Sequence, residues 1–263
     1  MSLRQFKLYL EKENLAETTI NTHVRNLAAY GKVGLSQNLI VKKLDLNETW
    51  PRRLSQANTI SKYLQYKQQP NNHIVEYIRR ANEEINKESQ TRQKKMADDP
   101  FLPTLSEMRQ HMNSLYDKCD YRGFCIMYLF LTYTVRNKDL VAKVVKSRKQ
   151  TNETENFLVL GRKQVTYLRN AYKTAVKYGS KTTIIKNKKF HTAIKHLDYL
   201  LKEGQNVDRI IKKITADIGS ITESTIAKIV LRENNSMAGI SRISRNRGTD
   251  ITTLINSYNI TTN

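Results

Sequence analysis

The chain has 263 residues and moderate hydrophobic content, which is enough for two ordinary domains or one large one. Its 45 Lys and Arg against 24 Asp and Glu give a net charge of +21, so the sequence predicts a polyanionic partner, most naturally nucleic acid. The sequence has no CxxC pair, which argues against a zinc site of usual spacing. It has no apolar run of membrane-spanning length and no signal peptide, which argues against a membrane protein and a secreted one.

The first 90 residues predict a small helical domain. Apolar residues recur at helical spacing in four segments, and Gly31 is placed to close the second of them. The third segment is predicted from Ser55 to Lys67, between two prolines. The apolar positions are Leu3, Phe6 and Leu10, then Ile20, Val24 and Leu27, and finally Ile74, Ile78, Ala81 and Ile85.

The next segment predicts an interdomain linker over residues 91–103. It is polar, charged and bounded by prolines, with almost no apolar side chain to bury. The frayed end of a long helix is the alternative interpretation.

Residues 104–263 predict a second domain that is mainly helical with a small sheet. Thr104 and Glu107 form a capping-box pattern, and an apolar helix is predicted from Tyr121 to Tyr133. The runs FLVL, QVTYL and TTIIK predict three antiparallel strands, and helical spacing resumes from Phe190 onward. Cys119 and Cys125 lie in or near the apolar helix, so both are expected to pack as small hydrophobic residues. The predicted fold class is therefore mainly α with a small antiparallel β-sheet.

The residue types available for chemistry are mostly arginine, lysine and tyrosine. The five histidines show no metal-ligand spacing, and the sequence has neither a P-loop nor a GxGxxG motif. A tyrosine hydroxyl can cut a phosphodiester when cations hold the phosphate oxygens and a lysine protonates the leaving oxygen. This chemistry needs no metal and no cofactor, and the sequence predicts neither.

Two stretches of the second domain resemble the tyrosine recombinase (phage-integrase) family. LTYTVRNKDLVAKVV resembles that family's first arginine box, in which Arg136 would bind the phosphate and Asp139 would orient the arginine. YKTAVKYGSKTTII resembles the hairpin that presents the family's catalytic lysine, and Lys173 is the matching position.

The C-terminal stretch RGTDITTLINSYNI resembles the segment that carries the family's nucleophile. Gly248 and Thr249 stand where the family has Gly-His or Gly-Trp, and Tyr258 follows Thr249 by the family's nine positions. The N-terminal FKLYLEKENLAETTINTHVRNLAAYG is similar to the family's helical, SAM-like core-binding domain, which clamps DNA from the other side. The resemblance therefore extends over nearly the whole chain.

The family's second box, His-x-x-Arg, has no direct counterpart. The corresponding helix, ITESTIAKIVLREN, lacks histidine, and either Lys228 or Arg232 could replace the second arginine. Lysine would be the weaker replacement because it lacks the bidentate guanidinium fork. Thr249, in place of His or Trp, offers only a hydroxyl. Other arginines that could supply the guanidinium are Arg242, Arg245 and Arg247.

The resemblance implies site-specific recombination or integration through a 3′-phosphotyrosyl intermediate. Its partners would be double-stranded DNA and further copies of the chain, as a tetramer on two duplexes. The location would be intracellular, wherever the DNA target lies, and the abundance of Lys, Asn and Ile suggests a virus or mobile element. Three alternatives stay open: a type IB topoisomerase, a weakened or inactive DNA-binding protein on the same fold, and an RNA-binding protein.

Overall fold

The chain divides into two compact units, Met1–Ala97 and Asp98–Asn263. The computed structural model describes residues 3–30, 37–47, 49–97, 102–172 and 174–258. The described residues are mainly helical with one small sheet, which confirms the predicted fold class. In these same residues no helix has both the length and the apolar character that crossing a membrane requires.

The first unit contains helices and no strand in its described residues. Its helices are α1 (Leu3–Lys12), α2 (Glu17–Tyr30), α3 (Gln37–Asp45), α4 (Trp50–Tyr66) and α5 (Asn72–Ala97). One apolar cluster contains Phe6, Leu10, Ile20 and Leu27 of α1 and α2. A second cluster joins α3, α4 and α5 through residues such as Leu44, Ile60 and Ile74. The helical spacing of the apolar residues thus identifies the faces that pack together.

The helices of this unit differ from the sequence predictions in three places. Helix α3 was not predicted, and α4 begins at Trp50 rather than Ser55, with Pro51 in its first turn. Proline is tolerated there because the first helical N–H groups have no intrahelical acceptor. Helix α5 continues to Ala97, so residues 91–97 of the predicted linker are helical. Lys, Gln and Arg favour helix without apolar burial, so their polarity did not mark a helix end. Gly31 lies outside the described residues.

The second unit contains eight α-helices in its described residues. They are α6 (Leu105–Asp117), α7 (Tyr121–Tyr133), α8 (Ala175–Tyr178), α9 (Lys188–Ile194), α10 (Val207–Ile214), α11 (Glu223–Glu233), α12 (Met237–Arg247) and α13 (Ile251–Tyr258). Most of α7 lies in one apolar core, which includes Phe124, Cys125 and Phe130. Cys125 is buried as predicted, whereas Cys119 is exposed. Cys119 lies in the turn between α6 and α7 rather than in the apolar helix, so the prediction that it packs inside was wrong.

The sheet has four strands in the order β1-β2-β3-β4. They are β1 (Ala142–Val145), β2 (Asn156–Leu160), β3 (Val165–Arg169) and β4 (Lys181–Ile185). The last three are the predicted strands and pair antiparallel, with Arg169 opposite Lys181. The prediction of three antiparallel strands is corrected by β1, which pairs parallel with β2. Four residues are too few to show the period of a strand. Because two parallel strands are not joined by a hairpin turn, no turn signal in the sequence indicated β1 either.

Candidate active site

Arg136 lies in a turn that follows the buried helix α7. Thr134 ends the helix in the left-handed conformation, at φ 50°, and redirects the chain. The buried Asp139 carboxylate accepts the backbone N–H of Arg136 at 3.2 Å and the Arg169 guanidinium at 3.3 Å. Burial raises the pKa of Asp139, and the charge of Arg169 opposes this rise. Asp139 therefore fixes the backbone of Arg136.

The guanidinium of Arg136 points toward the segment that precedes α13. Its Nη2 donates a short hydrogen bond to Thr249 Oγ1, and its Nη1 lies 3.5 Å from Thr174 Oγ1. Burial and the charge of Arg247 lower the pKa of Arg136, but an arginine stays charged at neutral pH. The structure thus brings together Arg136 and Thr249, which are 113 positions apart in the chain.

Gly248 makes the sharp turn between α12 and α13. Its φ of 61° is left-handed, and a Cβ there would lie 2.9 Å from both Thr174 Oγ1 and Tyr172 Cε2. Asp250 Oδ1 then accepts the N–H groups of Thr252 and Thr253, at 2.9 and 3.3 Å, and so caps the start of α13. The sequence RGTD therefore sets the direction of the helix that ends in Tyr258.

A Gly248→Ala substitution is expected to destabilise the second unit by about 2 kcal/mol or more, because backbone strain and the two close contacts add. Gly204→Ala is the matched control, since Gly204 also has a positive φ, 79°, but nothing lies within 4 Å of its Cβ position. The control is expected to cost about 1 kcal/mol from backbone strain alone. Urea denaturation of both variants measures the difference, and equal losses would contradict the close-packing explanation.

Arg247 is buried. It forms the centre of the active-site cluster, by which we mean the side chains of Arg136, Asp139, Arg169, Lys181, Glu223, Thr249 and Tyr258 that lie around it. Its Nη1 donates to Thr134 O at 2.9 Å, which satisfies a carbonyl at the C-terminal end of α7. Its Nη2 donates to Glu223 Oε1 at 2.7 Å and to Tyr258 Oη at 3.1 Å. A second oxygen of Glu223 accepts the backbone N–H of Asn137 at 3.3 Å, so this carboxylate joins α11 to the turn beside Arg136.

Tyr258 is held in the cluster by the packing of α13. Leu254 of this helix is buried in the core of the second unit, and Ile251 and Ile255 pack against it. The Tyr258 ring lies 5.7 Å from the guanidinium carbon of Arg247. Burial raises the pKa of the Tyr258 phenol, and the charge of Arg247 offsets part of this rise. The phenol is therefore protonated at neutral pH and must lose its proton to act as a nucleophile.

Lys181, the first residue of β4, also approaches the site. Lys173 lies outside the described residues. Lys181 donates a short hydrogen bond to Arg245 O and packs over the Tyr172 ring at 5.4 Å. Burial and the charge of Arg169 lower the pKa of Lys181.

No described hydrogen bond or ion pair joins Arg232, one of the two residues predicted for the second-arginine position, to this cluster. Glu223 is the first residue of α11, and Arg232 follows nine residues later, about 180° around the helix and roughly 13 Å along it. Arg232 is exposed. Lys228 is about 140° around the helix from Glu223, and burial and the charge of Arg232 lower its pKa. Arg247 occupies the centre of the cluster instead.

Sequence reasoning missed three residues of the site. Arg169 is the buried last residue of β3, and its guanidinium donates to Asn246 O at 2.7 Å as well as to Asp139. Glu223 has the pattern of an ordinary first-turn acid of a helix, and Thr174 directly follows the lysine of the YKT triplet. Of the three, only Thr174 had a signal in the sequence, which was the YKT triplet. Arg169 and Glu223 have no distinguishing sequence pattern, because their partners are distant in the chain and meet them only in the folded structure.

The cluster carries more positive than negative charge. Arg136, Arg169, Arg247 and Lys181 stand against two carboxylates, Asp139 and Glu223, which leaves two positive charges uncompensated. No group of three His, Cys, Asp or Glu side chains in the described part of the chain could hold a metal ion. The arrangement is suited to an anion placed beside Tyr258.

No family model and no curated protein matches the sequence. Among solved structures, the chain is similar to the crystal structure of XerA recombinase. The two share 11% sequence identity, with 98% of this chain and 93% of that chain covered, and the TM-score is 0.38. Values this low do not identify a function.

Proposed function

We propose that the protein cleaves and rejoins DNA strands, with Tyr258 as the nucleophile, as a tyrosine-type site-specific recombinase or integrase. The observation that carries this proposal is the contact of 3.1 Å between Tyr258 Oη and Nη2 of the buried Arg247, beside Arg136 and Thr249. A phosphate placed against the phenol would meet two guanidinium groups at once. Such groups stabilise the negative charge that grows on the non-bridging oxygens in the transition state.

The proposed step is a balanced transfer of one ester bond. The Tyr258 oxygen attacks phosphorus, the phenol proton passes to water, and the bond from phosphorus to the 5′ oxygen breaks. The product is a 3′-phosphotyrosyl ester, and the 5′ oxygen takes a proton from a lysine, for which we propose Lys173 by its resemblance to the family. The phosphotyrosyl ester keeps the energy of the phosphodiester, so rejoining needs no ATP.

Arg247 takes the second-arginine role in this proposal. It is buried and contacts Tyr258, and its charge lowers the pKa of Arg136. Its planar fork contacts Thr134, Glu223 and Tyr258 together, a geometry that lysine does not reproduce. Thr249 orients Arg136, and Asp139 supports the turn from which Arg136 extends.

Covalent trapping tests the proposal. The protein is incubated with a nicked or 5′-bridging phosphorothiolate duplex that carries its native flanking DNA, and a denaturing gel separates any adduct. A protein–DNA band that depends on Tyr258 supports strand cleavage. The lack of a band on DNA that the protein binds at its own site would contradict it.

One observation favours the alternative of a DNA-binding protein without cleavage. The Glu223 carboxylate pairs with Arg247 at 2.7 Å, so it competes with a phosphate for this guanidinium. The trapping experiment separates the two functions.

A topoisomerase and a recombinase would both form the adduct. A tetramer that joins two duplexes would favour recombination, and relaxation of supercoiled DNA by a single copy would favour the topoisomerase.

DNA affinity is expected to fall steeply with salt, because a net charge of +21 binds phosphates by releasing condensed counterions. For six or more phosphate contacts the loss is roughly 10³-fold between about 50 and 200 mM salt. Fluorescence anisotropy with a labelled duplex measures the slope. A flat profile would contradict phosphate-dominated binding, and equal affinity for single-stranded RNA would favour the RNA-binding alternative.

A further inference from the structure

The loop between β3 and β4 presents apolar side chains to solvent beside the active site. We call residues 174–179 the tip loop; it contains the short helix α8. Val176 is fully exposed, and Tyr178 is 41% exposed, although both are large hydrophobic residues. Neither side chain contributes to an apolar core in the described structure. These two side chains therefore do not stabilise the fold by packing in a core.

The first end of the tip loop is attached to the active-site cluster, and the second is bonded to Tyr172, which precedes the loop. Thr174 Oγ1 donates to Gly248 O at 2.7 Å and also lies 3.5 Å from Arg136 Nη1. At the other end, Tyr172 Oη donates to Gly179 O at 2.7 Å. The Cα atom of Val176 is at most about 7.6 Å from that of Thr174, because consecutive Cα atoms are about 3.8 Å apart. The apolar side chains thus lie within a few base steps of any phosphate held by Arg136.

The surroundings of these side chains indicate a nucleic acid rather than a protein as their partner. Lys177 and Lys181 lie 5.2 and 5.7 Å from the Tyr178 ring, so the apolar side chains are bordered by positive charge. Lysine is depleted in protein–protein interfaces, whereas apolar side chains flanked by cations are typical of proteins that wedge between base pairs in the minor groove.

We infer that Val176 and Tyr178 form a wedge that enters the DNA minor groove and unstacks the base step beside the cleaved phosphate. This inference rests on the proposed strand cleavage. The attached ends of the tip loop would align the wedge with the phosphate at Tyr258. Unstacking would loosen the duplex at the point where a strand must leave its partner.

The test places 2-aminopurine, whose fluorescence rises when it is unstacked, next to the phosphate at which the covalent adduct forms. Binding of the wild-type protein is expected to raise the fluorescence, and Val176→Asp is expected to remove the rise. The variant should also form the adduct about tenfold more slowly on a fully paired duplex. A mismatch at the same base step should restore the variant's rate to within about twofold of wild type, because unstacking a mismatched step requires less free energy.

Two further variants complete the experiment. Val176→Ala with Tyr178→Ala shortens the wedge without adding a charge and should give the same pattern. Met237→Ala is the matched control, since Met237 is a 51% exposed apolar residue at the other end of α12 from Gly248, and it should behave as wild type.

The outcomes separate the wedge from the proposed cleavage. Fluorescence and adduct rates that are equal for wild type and Val176→Asp on the paired duplex would overturn the wedge alone. Slow cleavage by the variant that the mismatch does not restore would also overturn the wedge. If wild type forms no adduct even on the mismatched duplex, the proposed cleavage fails, and the wedge inference fails with it.

Discussion

A Tyr258→Phe variant is expected to bind duplex DNA with unchanged affinity and to form no covalent adduct. The substitution removes only the hydroxyl, while the ring keeps its place beside Arg247 and α13 keeps its packing through Leu254. The lost hydrogen bond of 3.1 Å should cost about 1 kcal/mol of stability, so the variant should remain folded. The loss of all adduct on a phosphorothiolate duplex, together with retained binding, would identify Tyr258 as the nucleophile.

Tyr172, another tyrosine near the site, serves as a control for this result. Tyr172 lies in the same region and donates to Gly179 O at 2.7 Å, yet its hydroxyl makes no described hydrogen bond with Arg247. Tyr172→Phe should therefore still form the adduct. An adduct that persists in Tyr258→Phe and disappears in Tyr172→Phe would show that the nucleophile has been assigned to the wrong residue.

An Arg247→Lys variant is expected to lower the rate of adduct formation by roughly 10² to 10³, while DNA affinity changes little. Lysine keeps the positive charge beside Glu223, which avoids the large cost of a buried, unpaired carboxylate. A single ammonium group cannot contact Thr134 O, Glu223 and Tyr258 Oη together as the guanidinium does. Single-turnover measurements at saturating protein separate this loss of rate from any loss of binding.

The matched controls are Arg232→Lys and Lys228→Met on α11. Arg232 is exposed on the side of the helix away from Glu223, so its replacement should change the rate by less than about twofold. Lys228→Met tests the other residue predicted for the second cation. A strong defect in either control together with a near-normal Arg247→Lys would assign the role to α11, in line with the sequence prediction, and contradict the assignment to Arg247.

The sequence predicts those parts of the molecule that depend on local periodicity. Helix α7 and strands β2, β3 and β4 follow from apolar runs whose spacing matches the helix or strand period. Helix α3 and strand β1 are short and carry too few repeats, so they were missed. The extension of α5 to Ala97 was only the alternative interpretation, because polar helix formers such as Lys, Gln and Arg resemble a linker in sequence.

By itself, the sequence determined the strong positive charge, the mainly helical fold with a small sheet, and the chain order of Arg136, Thr249 and Tyr258. Only the tertiary structure decided which cations meet at Tyr258. Arg247 pairs with Glu223, 24 positions away, and with Thr134, 113 positions away, whereas the predicted Arg232 lies on another face of its helix. The physical reason is that hydrogen bonds and charges act across space. Spacing along the chain fixes which residues share one helix face, but the packing of α7, α11, α12 and α13 fixes which of those faces meet.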